Sequence, residues 1–179
     1  MKNTADKKTK AKKTEAELLI SDLLELIVKI AVIVTLAILL FTFMFGIYRN
    51  TSPSMDPAIL DGDLVLYYRL DKKYDHYDLL VLDYEGKTEA FRVVASDGDE
   101  VDIRDGGLYV NGALQSEPRI FRTTDPYVEG VRFPLTVGSG QVFVLGDNRT
   151  NATDSRIFGP VNVSDTKGQV MAVIRRRGF

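Results

Sequence analysis

The sequence predicts a mainly β domain, an open β-sandwich or distorted barrel, behind one N-terminal transmembrane helix. Three observations carry that expectation. Ile30 to Tyr48 is a run of 19 residues without a charge. From Asp61 onward, short apolar or alternating runs are separated by turn residues. The chain has 179 residues, 45% of them apolar, which suffices for one cored domain and an anchor but crowds two domains.

Taken in order, residues 1–29 read as a basic cytoplasmic tail and the start of an interfacial helix. Six lysines (Lys2, Lys7, Lys8, Lys10, Lys12 and Lys13) stand against Asp6 in the first 13 residues, a solvated segment able to touch anionic lipid. Leu18, Leu19, Leu23, Leu24 and Ile27, interleaved with Glu17, Asp22 and Glu25, extend the helix into the interface. Residues 30–48 are the transmembrane helix, since 19 residues at about 1.5 Å each span roughly the hydrocarbon core of a bilayer. A buried core helix fits poorly, because few helices of a small β-rich domain are apolar on every face. A cleaved signal peptide fits poorly too: the apolar run is too long, and no small-x-small site follows before Arg49. The cationic flank is expected inside, leaving residues 49–179 as an extracytoplasmic β domain on a single-pass cell-membrane protein.

Within that domain the predicted strands are Leu64–Tyr68, Leu79–Asp83, residues 90–95, Leu108–Val110, Val142–Leu145 and Val170–Ile174. Asp61-Gly62, Asp97-Gly98-Asp99, Asp105-Gly106-Gly107, Asn111-Gly112 and Gly138-Ser139-Gly140 supply turn residues. Leu108-Tyr109-Val110, Asn111-Gly112 and Ala113-Leu114-Gln115 form a predicted hairpin. Residues 117–136, with Pro118, Pro126 and Pro134, read as an irregular, lid-like excursion.

Charge and composition exclude several function classes. Residues 1–48 carry a net +2 and residues 49–179 a net −4, without the basic stripe a nucleic-acid binder needs. There is no cysteine and one histidine, which removes disulfides, thiolate catalysis and a cysteine-based metal site and argues against metal chemistry altogether. No cofactor is expected. Disulfides are permitted outside the cell but not required, so an extracytoplasmic domain stays compatible with this composition. The C-terminal Arg175-Arg176-Arg177 reads either as a solvated end or as a headgroup contact.

The stretch Thr51–Leu60 places two hydroxyls just beyond the apolar run. Ser54 lies six residues past Tyr48, and an extended chain covers at most ~3.3–3.6 Å per residue, so it is expected within about 20 Å of the membrane surface. Read alone, Ser52-Pro53-Ser54-Met55 is a polar loop.

Four segments, taken together, resemble the bacterial, single-anchor type I signal peptidases. Ser52-Pro53-Ser54-Met55-Asp56-Pro57 resembles the family's nucleophile box. Asp61-Gly62-Asp63-Leu64-Val65 with Tyr77-Asp78-Leu79-Leu80-Val81 resembles the strands that follow. Arg92-Val93-Val94-Ala95 through Gly98-Asp99 resembles the segment carrying the general base. Gly146-Asp147-Asn148-Arg149 with Asp154-Ser155-Arg156-Ile157-Phe158-Gly159 resembles the last box and is the most specific match.

The resemblance implies a Ser/Lys endopeptidase acting on presecretory proteins after small residues, with membrane lipid as its other partner. It implies Ser54 as nucleophile, with its own backbone N–H and the Ser52 hydroxyl as oxyanion donors; Pro53 restricts Ser52 to extended geometry. Asp154 and Arg156 match the family's structural ion pair, and Asp147 and Arg92 are further residues supporting the site.

Two positions depart from the family pattern. Phe91 stands where the family's lysine belongs, and Ala152 where a small hydroxyl residue normally bonds that lysine. Losing both partners together suggests a site rebuilt without the lysine. The sequence names no replacement base. His76 falls in a turn-like stretch, Lys72 and Lys73 in a polar loop, and Lys87 lies four residues, or about 13 Å at ~3.3 Å each, before Phe91. Two functions follow: a signal-peptide-cleaving serine endopeptidase, or a catalytically impaired binding and accessory protein, such as those associated with pilus components in Gram-positive bacteria.

Overall fold

A computed structural model describes residues 15–175. The lysine-rich start of the tail, with its expected cytoplasmic placement, and Arg176-Arg177 of the C-terminal cluster lie outside the described residues. The described residues form two compact units, divided between Thr42 and Phe43.

The first unit is helical. Helix α1 runs Glu15–Met44, 30 residues, and Glu17–Met44 is long and apolar enough to cross a membrane. From Leu18 to Phe43 its residues are exposed, apart from the partly covered Ser21. Its polar side chains are satisfied locally: Ser21, Thr35 and Thr42 donate to the carbonyls of Leu18, Ala31 and Ile38, and Lys29 pairs with Glu25 at 2.7 Å. Such back-bonding removes the cost of a free hydroxyl in an apolar setting.

The helix stops earlier than the uncharged run does. Phe45–Tyr48, expected as the end of the transmembrane helix, belong instead to strand β1 (Phe45–Arg49), which pairs antiparallel with β2 (Leu64–Tyr68) from Phe45↔Tyr68 to Arg49↔Leu64. Phe, Ile and Tyr suit a pleated surface as readily as a helix. Gly46 permits the pairing, because a Cβ there would lie 2.2 Å from Cζ of Tyr67. The β unit therefore begins within the uncharged run, before residue 49.

The remaining elements are β3 (Leu79–Tyr84), β4 (Lys87–Ser96), β5 (Glu100–Arg104), β6 (Gly107–Val110), β7 (Ala113–Leu114), β8 (Leu135–Thr136), β9 (Gln141–Leu145), a short helix α2 (Ser155–Phe158), β10 (Val161–Asn162) and β11 (Thr166–Ile174). They make a seven-stranded sheet ordered β1-β2-β11-β3-β4-β9-β10 and a four-stranded sheet ordered β7-β6-β5-β8, every pair antiparallel. The mainly β fold expected from the sequence is the fold observed, and the predicted β6–β7 hairpin forms with Asn111 and Gly112 both at positive φ. The core is built in three clusters. One joins the sheets through Val94, Phe143 and Leu145 on one side and Val101, Ile103, Leu108 and Val110 on the other. A second gathers Met55, Ile59, Val65, Tyr67, Val81 and Ala90, and a third Leu80, Leu82, Phe91, Val93, Val142 and Val144.

Candidate active site

The site is organised by the loop between β1 and β2, which is closed at its base. Asn50 is buried, donates its N–H to the Asp63 carbonyl at 2.8 Å and accepts from Gly62 N–H at 2.8 Å. Its side-chain amide donates to the carbonyls of Ser52 (2.7 Å) and Leu60 (3.1 Å), while Asp63 accepts from Leu60 N–H at 2.9 Å. Met55 and Ile59, 1% and 0% exposed, pin the loop into the second cluster. Nothing in the spacing of Ser52 and Ser54 flagged Asn50; its signal was only a polar residue at the end of an apolar run.

Ser54 is thereby held rigid and 2% exposed. Its carbonyl accepts from Asn148 N–H at 2.9 Å, and the Asn148 side chain donates to the Pro53 carbonyl at 3.2 Å. The Ser54 N–H donates to Ser52 Oγ at 3.3 Å. The two groups expected as oxyanion donors are thus adjacent, joined by a bond slightly longer than the usual range, a weak one that an incoming charged oxygen can displace. The Ser54 hydroxyl donates to Oε2 of Glu89 on β4, also at 3.3 Å.

Glu89 is the residue that sequence reasoning passed over. It stands two positions before Phe91, the spacing at which a strand repeats a face, and carries the opposite charge to the family's lysine. None of the cations considered is bonded to Ser54. His76 bonds Asp99 at 3.1 Å, Lys72 donates to the Ser164 carbonyl at 2.7 Å, and Lys73 and Lys87 are partly or fully exposed. Phe91 is 1% exposed, built into the third cluster and edge-on to Phe158 with centroids 6.0 Å apart. Ala152 is 5% exposed and lies against Gly146, whose hypothetical Cβ would fall 2.4 Å from Ala152 Cβ and 2.6 Å from the Ser54 carbonyl oxygen.

Behind the serine loop, the last box folds into a buried polar scaffold. Asp154 and Arg156, 0% and 2% exposed, pair bidentately at 2.9 and 2.8 Å, a fully buried ion pair. Asp154 also caps α2 through Arg156 N–H and accepts from Gly146 N–H at 3.0 Å. Arg156 reaches the carbonyls of Asp125 and Arg149 and lies over the Tyr127 ring. Arg149, 1% exposed, holds Glu117 and Thr124 of the long excursion. Arg92 clasps Asp147 bidentately at 2.7 and 2.6 Å; burial works against its charge, but Asp147 and Glu117 outweigh that and raise its pKa. Every carboxylate–guanidinium pair here is a planar fork, the geometry arginine favours.

The surface next to the serine is concave. A cavity of about 200 Å³ is lined by Asp56, Pro57, Phe121, Arg122, Asp147 and Asn148. A second, of about 310 Å³, lies between Tyr77, Arg92 and Ser116–Ile120. The Arg92–Asp147 pair contributes one partner to each. β4 pairs with β9 only over Arg92–Ser96, so among the described residues the edge of Lys87–Phe91 away from β3 carries no ladder partner.

The chain is similar to known proteins along most of its length. A family model described as signal peptidase, peptidase S26, matches residues 23–175. Signal peptidase I of Bacillus licheniformis is 31% identical over 147 residues, covering 76% of this chain and 79% of that one. Signal peptidase I of Bacillus caldolyticus is 32% identical over 160 residues, covering 80% and 84%. A crystal structure of a signal peptidase I from Enterococcus faecalis overlaps with a TM-score of 0.47 at 30% identity, over 55% of this chain and 97% of that one.

Proposed function

We propose, since the chain belongs to the peptidase S26 family of signal peptidases, that it is a membrane-anchored serine endopeptidase that removes signal peptides from secreted proteins, with Ser54 as nucleophile. The supporting observation is a buried serine whose hydroxyl already donates to a carboxylate, in a loop pinned from both ends by Asn50 and Asn148. Ser54 Oγ attacks the scissile carbonyl; the developing oxyanion takes the Ser54 N–H and the Ser52 hydroxyl; collapse expels the amine and water hydrolyses the acyl-enzyme. An extended presecretory segment would add to the unpaired edge of β4 as an extra strand. Helix α1 is the single-pass anchor, N-terminus inside, with the β unit outside the cell membrane. Asp154, Arg156, Asp147 and Arg92 act as supports, keeping Gly146 and Asn148 against Ser54.

A second reading, a catalytically impaired accessory module for pilus components or other secreted chains, is favoured by Phe91 and Ala152, which fill the places of the family's lysine and its partner with apolar groups. Incubating the full-length protein in detergent micelles with an Ala-x-Ala preprotein separates the two. Cleavage that Ser54→Ala reduces by ~10³-fold or more supports the endopeptidase. Absence of cleavage in wild type, with stable capture of the preprotein, supports the accessory role.

A further inference from the structure

We propose that Glu89 is the general base of this site, standing in for the lysine absent at Phe91. The inference rests on the endopeptidase reading and deepens it. Three features of the Glu89 surroundings point the same way. Its Oε2 is 3.3 Å from Ser54 Oγ, the one atom that must lose a proton. Among the described residues no lysine or arginine is ion-paired to it, so the carboxylate is not committed to a structural pair as Asp147 and Asp154 are. Near enough to feel its charge is the buried Tyr48 hydroxyl of β1, which lies at the Ala90 backbone and makes no hydrogen bond to another side chain. Burial first, and then the negative charge of Glu89, raise the Tyr48 pKa. A hydroxyl with no side-chain partner, within reach of a carboxylate's charge, is a group able to bond the carboxylate or the substrate.

The proton balance is complete without a further reagent. As Ser54 Oγ bonds the scissile carbon, its O–H breaks and the proton passes to Glu89 Oε2. When the C–N bond breaks, Glu89 returns that proton to the leaving amine. In the second half Glu89 takes a proton from water, hydroxide equivalent attacks the ester, and the proton goes back to Ser54 Oγ. The net reaction is one peptide bond and one water converted to acid and amine.

Ser54 is bonded to Glu89, Tyr48 feels the Glu89 charge, and the Tyr67 ring of β2 lies 6.4 Å from that of Tyr48.

The test uses the full-length protein in micelles and two readouts: preprotein cleavage, and phosphonylation of Ser54 by a fluorophosphonate, which expels fluoride, followed by intact-mass spectrometry. For Glu89→Gln, nearly isosteric, we expect kcat and the phosphonylation rate to fall by about 100-fold or more with KM within about two-fold, and the phosphonylation rate of wild type to fall on acidification while that of the variant stays flat. Wild-type cleavage matched by Glu89→Gln overturns the base and leaves the endopeptidase standing. Glu89-dependent phosphonylation without preprotein cleavage upholds the base and removes the endopeptidase. Neither reaction in wild type overturns both. Should Glu89→Gln not fold, the acidic loss of wild-type Ser54 phosphonylation decides: its presence supports the assignment and a pH-independent rate overturns it.

Discussion

Residue by residue, the site rests on side chains whose polar atoms are nearly all spoken for. Asn50 makes two side-chain bonds that close the serine loop. Replacing it with alanine strands the Ser52 and Leu60 carbonyls, at a cost of about 1–3 kcal/mol, and is expected to lower the Tm and loosen Ser54; hydrogen exchange of residues 51–60 should speed up in Asn50→Ala. Removing Arg156 is harsher. Arg156→Leu leaves Asp154 charged and buried without its partner, worth ~3–5 kcal/mol, and unfolding in urea should show a midpoint far below that of wild type. At this scale the sequence was legible where a motif points to a residue: the structure sets Ser52 beside Ser54 and pairs Asp154 with Arg156. It was silent on Glu89 and Asn50, because proximity across 35 positions depends on how the β1–β2 loop meets β4, and no local pattern encodes that meeting.

Among the elements, the backbone approach at Gly146 is the tightest constraint on the site. Gly146→Ala would push a methyl to 2.4 Å from Ala152 and 2.6 Å from the Ser54 carbonyl, so one of the two segments must move. We expect loss of cleavage with the fold retained, readable as unchanged far-UV circular dichroism beside a product yield at background. The turn between β4 and β5 carries the clearest pH dependence. Burial pushes the Asp99 carboxyl up, but bonds from the Ser96 backbone, Asn111 and His76 outweigh it and hold it below the ordinary range. A depressed folded-state pKa stabilises above the unfolded value of about 3.9 and is lost as pH falls through the folded one. Asp99→Asn should therefore lower the Tm at pH 7, and the gap to wild type should narrow as the pH is taken below about 4. Six strands and the β6–β7 hairpin were legible from alternation and turns. β5, with Val101 and Ile103 buried between charged neighbours, was hidden by its charge, and β1 by its apolarity: an uncharged run looks the same whether it continues a helix or pairs with Leu64–Tyr68.

For the whole molecule, an apolar helix and a β unit of two antiparallel sheets stand in direct succession, the helix ending at Met44 and β1 starting at Phe45. That succession keeps the tether between α1 and Ser54 short, and it suits a protease whose substrates are themselves held at a membrane. The same order of parts would suit a binding module, so what separates the two is chemistry at Ser54. The most direct measurement is the N-terminal sequence of the product released from an Ala-x-Ala preprotein by the full-length protein in phospholipid vesicles. Wild type should give a new N-terminus immediately after the second alanine, and Ser54→Ala none. Intact preprotein in both, or the same product from both, would contradict an endopeptidase acting through Ser54.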